Sequence, residues 1–164
     1  MPLSAIDPAT FRSVLGRFAS GVTVVTVRDI QHYDHGMTVT AFCSVSLEPP
    51  LVQVCIGTAA SLHGVLGTGN TASQFAVNIL NSKQEPLARR FAEEHPDRFD
   101  GVGFTRGVTG APILDDCLDV IECEVLGRHA AGDHTIVIGR VIATATNEGS
   151  PLLYYRGGYA TLER

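Results

Sequence analysis

The chain has 164 residues, 45% of them hydrophobic and 18% charged, which excludes a disordered chain and predicts one domain spanning residues 1–164. Twelve basic against seventeen acidic residues give a net charge of −5, and no basic run is present, so a nucleic-acid binder is not expected. No segment reaches the roughly 18–20 apolar residues of a membrane span. Residues 1–4 begin no secretory signal, so a cytoplasmic protein is expected.

The first predicted element is a helix that begins after Asp7. Asp7 is a good N-cap, and Pro8 falls at the first helical position, where its missing N–H costs nothing. Four apolar residues then recur at helical spacing: Phe11, Val14, Leu15 and Phe18. Gly21 is predicted to close the segment.

β-Branched residues and alternation predict strands in the following part of the chain. Residues 22–27 are β-branched throughout, and the polar residues 28–36 predict a hairpin loop. Residues 37–46 alternate and predict one continuous strand, with Val39, Ala41, Cys43 and Val45 on one face. Glu48, Pro49 and Pro50 are predicted to end it before a strand at 51–56.

The second half of the chain continues this pattern. Its predicted elements are a short helix at 61–66, a strand at 75–80, a helix at 84–94, a loop at 97–116, long strands at 118–126 and 134–146, and a strand pair at 152–155 and 159–162. The apolar positions change parity near Val120, which predicts a β-bulge or a barrel corner near that residue. Because strands outnumber helices and no regular βα alternation appears, the fold class is mainly β: a small antiparallel barrel with a few peripheral helices.

Two familiar kinds of site are not supported by their context. Residues 67–72 match the GxGxxG/A pattern, but a predicted helix precedes them and a strand follows, so a Gly-rich turn is expected instead of a dinucleotide site. The four cysteines form no CxxC pair and lie in apolar stretches, which predicts buried free thiols: Cys43, Cys55, Cys117 and Cys123. Histidines 32, 35, 95 and 129 are expected to be solvated loop residues, and no metal site is expected.

Residues 36–46 carry an unusual density of hydroxyl groups. One interpretation is an ordinary half-exposed strand, since Thr favours strands. The other is a platform whose backbone and hydroxyl donors face a flat heteroaromatic ring carrying carbonyl groups. In that case Ser61 and His63, which follow the next strand, could meet a phosphate near a helix start.

The ordered set of segments resembles the short-chain flavin reductases, the reductase components of two-component flavin-dependent monooxygenases. The resemblance covers nearly the whole chain. The segments that carry it are Phe11-Arg12, residues 16–26, residues 36–51, residues 75–80, Gly132-Asp133-His134, residues 151–156 and Tyr159.

This resemblance implies a split β-barrel homodimer (an FMN-binding split barrel) that binds FMN or FAD near the subunit interface. The cofactor-binding residues it implies are Met37, Thr38, Val39, Thr40, Ala41, Cys43, Ser44, Val45, Ser46, Ser61, His63, Asn78, Tyr155 and Arg156. The isoalloxazine ring is expected along 37–41 and 43–46, and the phosphate at Ser61 and its neighbours. His134 is the implied catalytic residue, on the nicotinamide side.

The resemblance also implies the reaction and the partners. NADH or NADPH delivers a hydride to the flavin, so the protein supplies orientation and a dry site, and no general base is needed. Reduced flavin then passes to a partner monooxygenase. The alternative is a flavin-binding carrier or sensor on the same barrel that does not act as a reductase. The retained segments 132–134 and 154–156 favour the reductase.

Overall fold

The computed structural model describes residues 5–163, and the strands dominate it. The elements, in chain order, are α1 Pro8–Leu15, β1 Ser20–Gly21, β2 Thr23–Arg28, β3 Asp34–Val39, β4 Phe42–Ser46, β5 Leu51–Gly57, a π-helical turn His63–Gly67, β6 Gln74–Ile79, α2 Glu85–Ala92, β7 Phe104–Arg106, β8 Pro112–Leu114, β9 Asp119–Ala131, β10 His134–Thr146, β11 Leu152–Tyr155 and β12 Gly158–Thr161.

Seven antiparallel strands form the main sheet in the order β3-β2-β6-β9-β10-β5-β4. The strands β1, β11 and β12 form a second sheet, and β7 pairs with β8. The prediction of a mainly β, antiparallel barrel with a few peripheral helices is therefore confirmed.

The prediction of one strand over residues 37–46 is wrong. The segment forms β3 and β4, which are consecutive in the chain but lie at opposite edges of the main sheet. The chain crosses between the edges at Thr40 and Ala41, where the backbone N–H of Cys55 donates to the carbonyl of Ala41 over 3.0 Å. The prediction that these apolar residues share one face is also wrong, because Val39 is buried whereas Ala41, Cys43 and Val45 are exposed.

Strand β2 is buried on both faces because it separates two apolar cores. Val25 and Val27 face the barrel interior, with Phe75 and Ile56. Val24 on β2 and Val22 just before it belong to a second core under α2, together with Phe91 and Leu80. The uninterrupted β-branched run of 22–27 follows from this position, since neither face meets water.

The long hairpin of β9 and β10 differs from its prediction in length and in the place of its bulges. β9 runs on to Ala131, so the predicted loop 127–133 shrinks to a turn at Gly132 and Asp133, with Gly132 at φ 62°. Val120 itself pairs regularly with Ala145, and the nearest irregularity lies two to three residues further on, opposite Glu122 and Cys123. The extra residues are Leu126 on β9 and Ile142 on β10. In β9 the alternation of buried and less buried residues breaks at Glu122 and Cys123, which are both buried and lie opposite the bulge on β10. The pattern of β9 alone cannot show that the bulge is on the partner strand.

The remaining predicted helices, strands and turns hold in outline with shifted bounds, but His35 lies on β3 and His129 on β9 instead of in solvated loops. α1 begins at the Asp7 cap, whose carboxylate accepts from the Thr10 N–H over 2.9 Å, but it ends at Leu15 instead of near Gly21. The loop 97–116 contains β7 and β8, and the hairpin loop after β2 ends at Asp34. The Gly-rich segment 67–72 joins the π-helical turn to β6, as expected of a turn. Within residues 5–163, no helix is long and apolar enough to cross a membrane.

The thiols divide into two kinds, so the prediction that all four are buried is half wrong. Burial raises the pKa of Cys117 and of Cys123 to about 12. Cys55 is half-buried and Cys43 is exposed, because β4 is an edge strand whose outer face no other element covers within the described chain.

Candidate active site

A cavity of about 320 Å³ opens beside the edge strand β3. Its walls come from residues 34–36 of β3, from Ser61 and Leu62 before the π-helical turn, and from the segment 94–99 after α2. It therefore lies at the place where the barrel edge, the turn after β5 and the end of α2 meet.

Arg98 is the charged group that defines this cavity. It is only 8% exposed. One guanidinium nitrogen, Nη1, donates to the carbonyl of Gly36, and Nη2 lies 2.8 Å from the Glu94 carboxylate and 3.4 Å from Ser61 Oγ. Its Nε is buried without a hydrogen-bond partner. A buried guanidinium in the wall of a cavity favours an anionic ligand.

The sequence analysis missed Arg98. An isolated arginine in a segment of Pro, Asp and Gly resembles any solvated loop residue, and no periodicity marks it. The only signal in the sequence is the adjacent Phe99, which packs edge-on against Phe91 of the core and thereby brings Arg98 inward.

Ser61 lies at the cavity, as expected for a phosphate ligand. Its backbone N–H donates to Glu94 Oε1 over 3.3 Å. Hydrogen bonds from Ser61, aided by the Arg98 charge, hold the pKa of Glu94 below its usual value. Ser61 therefore presents both an amide and a hydroxyl beside a buried positive charge.

His63, predicted to bind the same phosphate, does not line this cavity. Its Nε2 lies 2.8 Å from Thr135 Oγ1, and its ring packs against Gly67, where an added Cβ would come within 2.5 Å of it. The two neighbouring positions thus diverge: Ser61 faces the cavity, and His63 supports the first residues of β10.

His134 is the first residue of β10 and pairs with Gly57, the last residue of β5. Its Nδ1 lies 2.7 Å from the Asp133 carboxylate, and this hydrogen bond lowers the pKa of Asp133. The Thr58 N–H donates to the Asp133 carbonyl over 2.9 Å. Because Ser61 follows Gly57 by four residues, His134 and Ser61 lie at the same end of the barrel.

The hydroxyl-rich residues 37–46 divide between β3, the crossing and β4. Val39 is buried, Met37 is half-buried, and the Thr38 hydroxyl donates to the Ala88 carbonyl of α2 over 2.7 Å. Thr40 and Ser46 are half-buried, whereas Ala41 and Ser44 are exposed. An accessible polar surface therefore exists at the crossing and along β4, but the Thr38 hydroxyl is engaged by the fold.

The structure does not bring Asn78 to the cavity. Asn78 is fully buried, and its Nδ2 donates to the Val24 carbonyl and to Thr26 Oγ1, both over 3.0 Å. Its Oδ1 accepts from the Leu114 N–H over 2.9 Å. The side-chain amide of Asn78 makes all these hydrogen bonds within the protein, linking β6 to β2 and β8. Asn78 therefore stabilises the sheet and does not face a ligand.

Tyr155 and Arg156 lie elsewhere, at the turn between β11 and β12. The Arg156 N–H donates to the Gly16 carbonyl over 2.7 Å. Arg156 borders a second cavity of about 480 Å³, which Arg12 and Arg17 also line and which shares no lining residue with the first. One chain alone does not join these residues to Ser61.

Comparison with known proteins identifies the family of the chain. The model of the flavin reductase like domain family matches residues 15–163. An NADH-dependent flavin reductase of Rhodococcus is 42% identical over 162 residues, covering 96% of this chain and 88% of that protein. The reductase subunit HsaB of a flavin-dependent monooxygenase of Mycobacterium tuberculosis is 38% identical, covering 96% and 84%.

Among solved structures, the NADH:FAD oxidoreductase of Streptomyces globisporus, in complex with NAD and FAD fragments, superposes with a TM-score of 0.89. It is 36% identical, and the match covers 98% of this chain and 97% of that one. With the family model spanning all but the first 14 residues and the last, the chain belongs to the flavin reductase like domain family.

Proposed function

We propose that the protein is an NAD(P)H:flavin oxidoreductase that reduces FMN or FAD and supplies reduced flavin to a partner monooxygenase. The observation that carries this proposal is the cavity of Ser61 and Arg98, which lies at the same end of the barrel as His134. The relatives named as an NADH-dependent flavin reductase and as a monooxygenase reductase subunit support both the reaction and the kind of partner.

The residues at the cavity fit a flavin phosphate. Arg98 offers a buried positive charge and its Nη2 donor, which lies 3.4 Å from Ser61 Oγ, and Ser61 offers a backbone amide and a hydroxyl. Phosphate oxygens accept such hydrogen bonds strongly. The flavin ring is then placed along the crossing at Thr40 and Ala41 and along β4, where polar backbone and side-chain groups are accessible.

When bound, the flavin accepts the hydride that reduced nicotinamide supplies. The chain's own contribution is to hold the two reactants close and to exclude water. His134 contacts and orients the nicotinamide, and the Asp133 carboxylate holds its imidazole through Nδ1 at 2.7 Å, which leaves Nε2 free for that contact. The exposed position of His134 agrees with a partner that binds and leaves in each cycle.

The working unit is proposed to be a homodimer. Tyr155 and Arg156 lie away from the Ser61 cavity of their own chain, so we place them near the flavin bound by the other subunit. Four free cysteines, one of them exposed, favour the reducing cytoplasm as the place where the enzyme acts.

Steady-state oxidation of NADH and of NADPH, measured with and without added FMN or FAD, tests the proposal. The expected result is rapid NADH oxidation that depends on added flavin and saturates with it. Tight flavin binding without nicotinamide oxidation would instead identify a carrier or sensor and would overturn the reductase.

A further inference from the structure

The Glu94 carboxylate occupies the anion position of the cavity. Its Oε1 accepts from the Ser61 N–H over 3.3 Å, and its Oε2 accepts from Arg98 Nη2 over 2.8 Å. These are donors that we assigned above to the flavin phosphate. The chain therefore supplies its own anion to the proposed phosphate site.

Glu94 and Arg98 differ in how firmly they are held. The Arg98 side chain is 9% exposed and is fixed independently by its hydrogen bond to the Gly36 carbonyl. The Glu94 side chain is 61% exposed and lies beyond the end of α2 at Ala92. Glu94 can therefore rotate into water without leaving a void, and Arg98 stays in place without it.

We propose that Glu94 competes with the flavin phosphate for Arg98 and Ser61. The carboxylate turns away when the phosphate binds and returns to the site when the flavin leaves. Two anions cannot share one guanidinium without repulsion, so the phosphate binds only when the carboxylate has turned away. The apparent affinity then falls by the fraction of time the site is open. An enzyme that must hand reduced flavin to another protein gains faster release from such a competitor.

The Glu94–Arg98 ion pair is too exposed on the Glu94 side to block binding outright. Pairs of this kind contribute little, because water solvates and screens the free carboxylate. We therefore expect a moderate effect on affinity, which suits a flavin that binds, is reduced and leaves. The low pKa of Glu94 agrees with a carboxylate that is ionised whenever it occupies the site.

Equilibrium titrations of the wild type, Glu94→Gln and Glu93→Gln with FMN and with riboflavin test this inference, which rests on the proposed function. Glu94→Gln removes the charge at nearly constant shape, and we expect FMN to bind about three- to tenfold more tightly and to dissociate correspondingly more slowly. Riboflavin carries no phosphate, so its affinity should not change. Glu93→Gln makes the same charge change at an exposed residue outside the cavity and should match the wild type.

Inorganic phosphate gives a second measurement that needs no flavin. It should raise the melting temperature of Glu94→Gln more than that of the wild type or of Glu93→Gln. If Glu94→Gln does not fold, Glu94→Asp replaces it, because a shorter carboxylate cannot reach both donors and should also tighten FMN binding.

The outcomes separate this inference from the proposed function. Unchanged or weaker FMN binding by a folded Glu94→Gln or Glu94→Asp would show that Glu94 only positions Arg98, and would overturn the competitor. Equal tightening of FMN and riboflavin would also overturn it, since the effect would not lie at the phosphate. A wild type that binds no flavin and oxidises no NADH would overturn the proposed function itself.

Discussion

His134 and Ser61 lie at one end of the barrel, but the chain holds them in different ways. The imidazole of His134 contacts the neighbouring Asp133 carboxylate through Nδ1, and the side chain is exposed to water. Ser61 is exposed but contacts charged groups of both signs, Glu94 and Arg98. A change at His134 should therefore affect the nicotinamide, which binds and dissociates in each cycle, whereas a change at Ser61 should alter the electrostatic potential of the cavity.

Replacing His134 by Ala should impair the use of NADH while leaving flavin binding intact. Only a positioning contact is lost, and no proton transfer, so kcat/KM for NADH should fall on the order of 10–100-fold, about 1.4–2.7 kcal/mol. Steady-state kinetics with NADH varied, together with an FMN titration of the same variant, measure both effects. Unchanged kcat/KM in a folded variant would remove His134 from the site, and loss of folding or of flavin binding would assign it a structural role.

Replacing Ser61 by Asp should weaken FMN binding several-fold or more. A second carboxylate beside Arg98 would neutralise the guanidinium and repel the phosphate. If Ser61 is only a helix N-cap, FMN affinity should hardly change, since Asp caps as well as Ser. An FMN titration distinguishes the two, with Ser61→Ala as the variant that removes the hydroxyl without adding charge. Unaltered affinity in Ser61→Asp would favour the cap.

At the scale of the elements, the hairpin between β2 and β3 shows how a single buried carboxylate shapes a cavity wall. Asp29 Oδ1 accepts from the N–H groups of Gln31 and Tyr33, both over 2.9 Å, and Oδ2 lies 2.8 Å from His35 Nε2. Burial alone would raise the pKa of Asp29, but these hydrogen bonds outweigh it and the pKa is lowered. The hairpin thereby fixes His35, which lines the Ser61 cavity.

This arrangement predicts a pH dependence of stability. A carboxyl group whose pKa is lower in the folded than in the unfolded state stabilises the fold above its unfolded value of about 3.9, and that contribution is lost as the pH falls through the folded value. Asp29→Asn should cost about 1–2 kcal/mol at pH 7, and its difference from the wild type should shrink below about pH 4. Urea unfolding across that range measures this, with the exposed Asp100→Asn as control. A difference independent of pH would show that the Asp29 charge contributes nothing.

An element could be predicted from the sequence when the interactions that determine it lie within its own segment, and not when they involve residues far away in the chain. α1 carries its N-cap and both α1 and α2 carry a periodic apolar face within one segment, so the two helices are predictable, as are β2 and β5. The division of 37–46 into β3 and β4 depends on a contact with Cys55, a residue outside the segment. The bulges depend on the partner strand in the same way. Arg98 was missed because its burial comes from the packing of Phe99, which no local pattern shows.

At the scale of the whole molecule, the described residues 5–163 leave α1 without a buried side chain. No residue of α1 is buried, and the apolar face that predicted the helix is exposed: Phe11 is 56% exposed, Val14 62% and Leu15 50%, while Phe18 just beyond it is 80% exposed. An eight-residue helix is not stable in water by itself, so its stability must come from packing. Exposed apolar surface on this scale is typical of a subunit interface.

The last prediction is therefore that the protein is a homodimer that buries α1. Light scattering at micromolar concentration should give about twice the chain mass of 17.5 kDa. Leu15→Asp places a charge on the apolar face of α1 and should shift the protein toward the monomer and lower its melting temperature. Val108→Asp makes the same kind of change at a residue that is 72% exposed, in the loop between β7 and β8, and should leave the mass unchanged. A monomeric wild type, or a Leu15→Asp variant that remains fully dimeric, would contradict this assembly. Because Tyr155 and Arg156 are proposed to reach the flavin of the other subunit, a monomeric Leu15→Asp should also lose flavin affinity, which links the oligomeric state to the site.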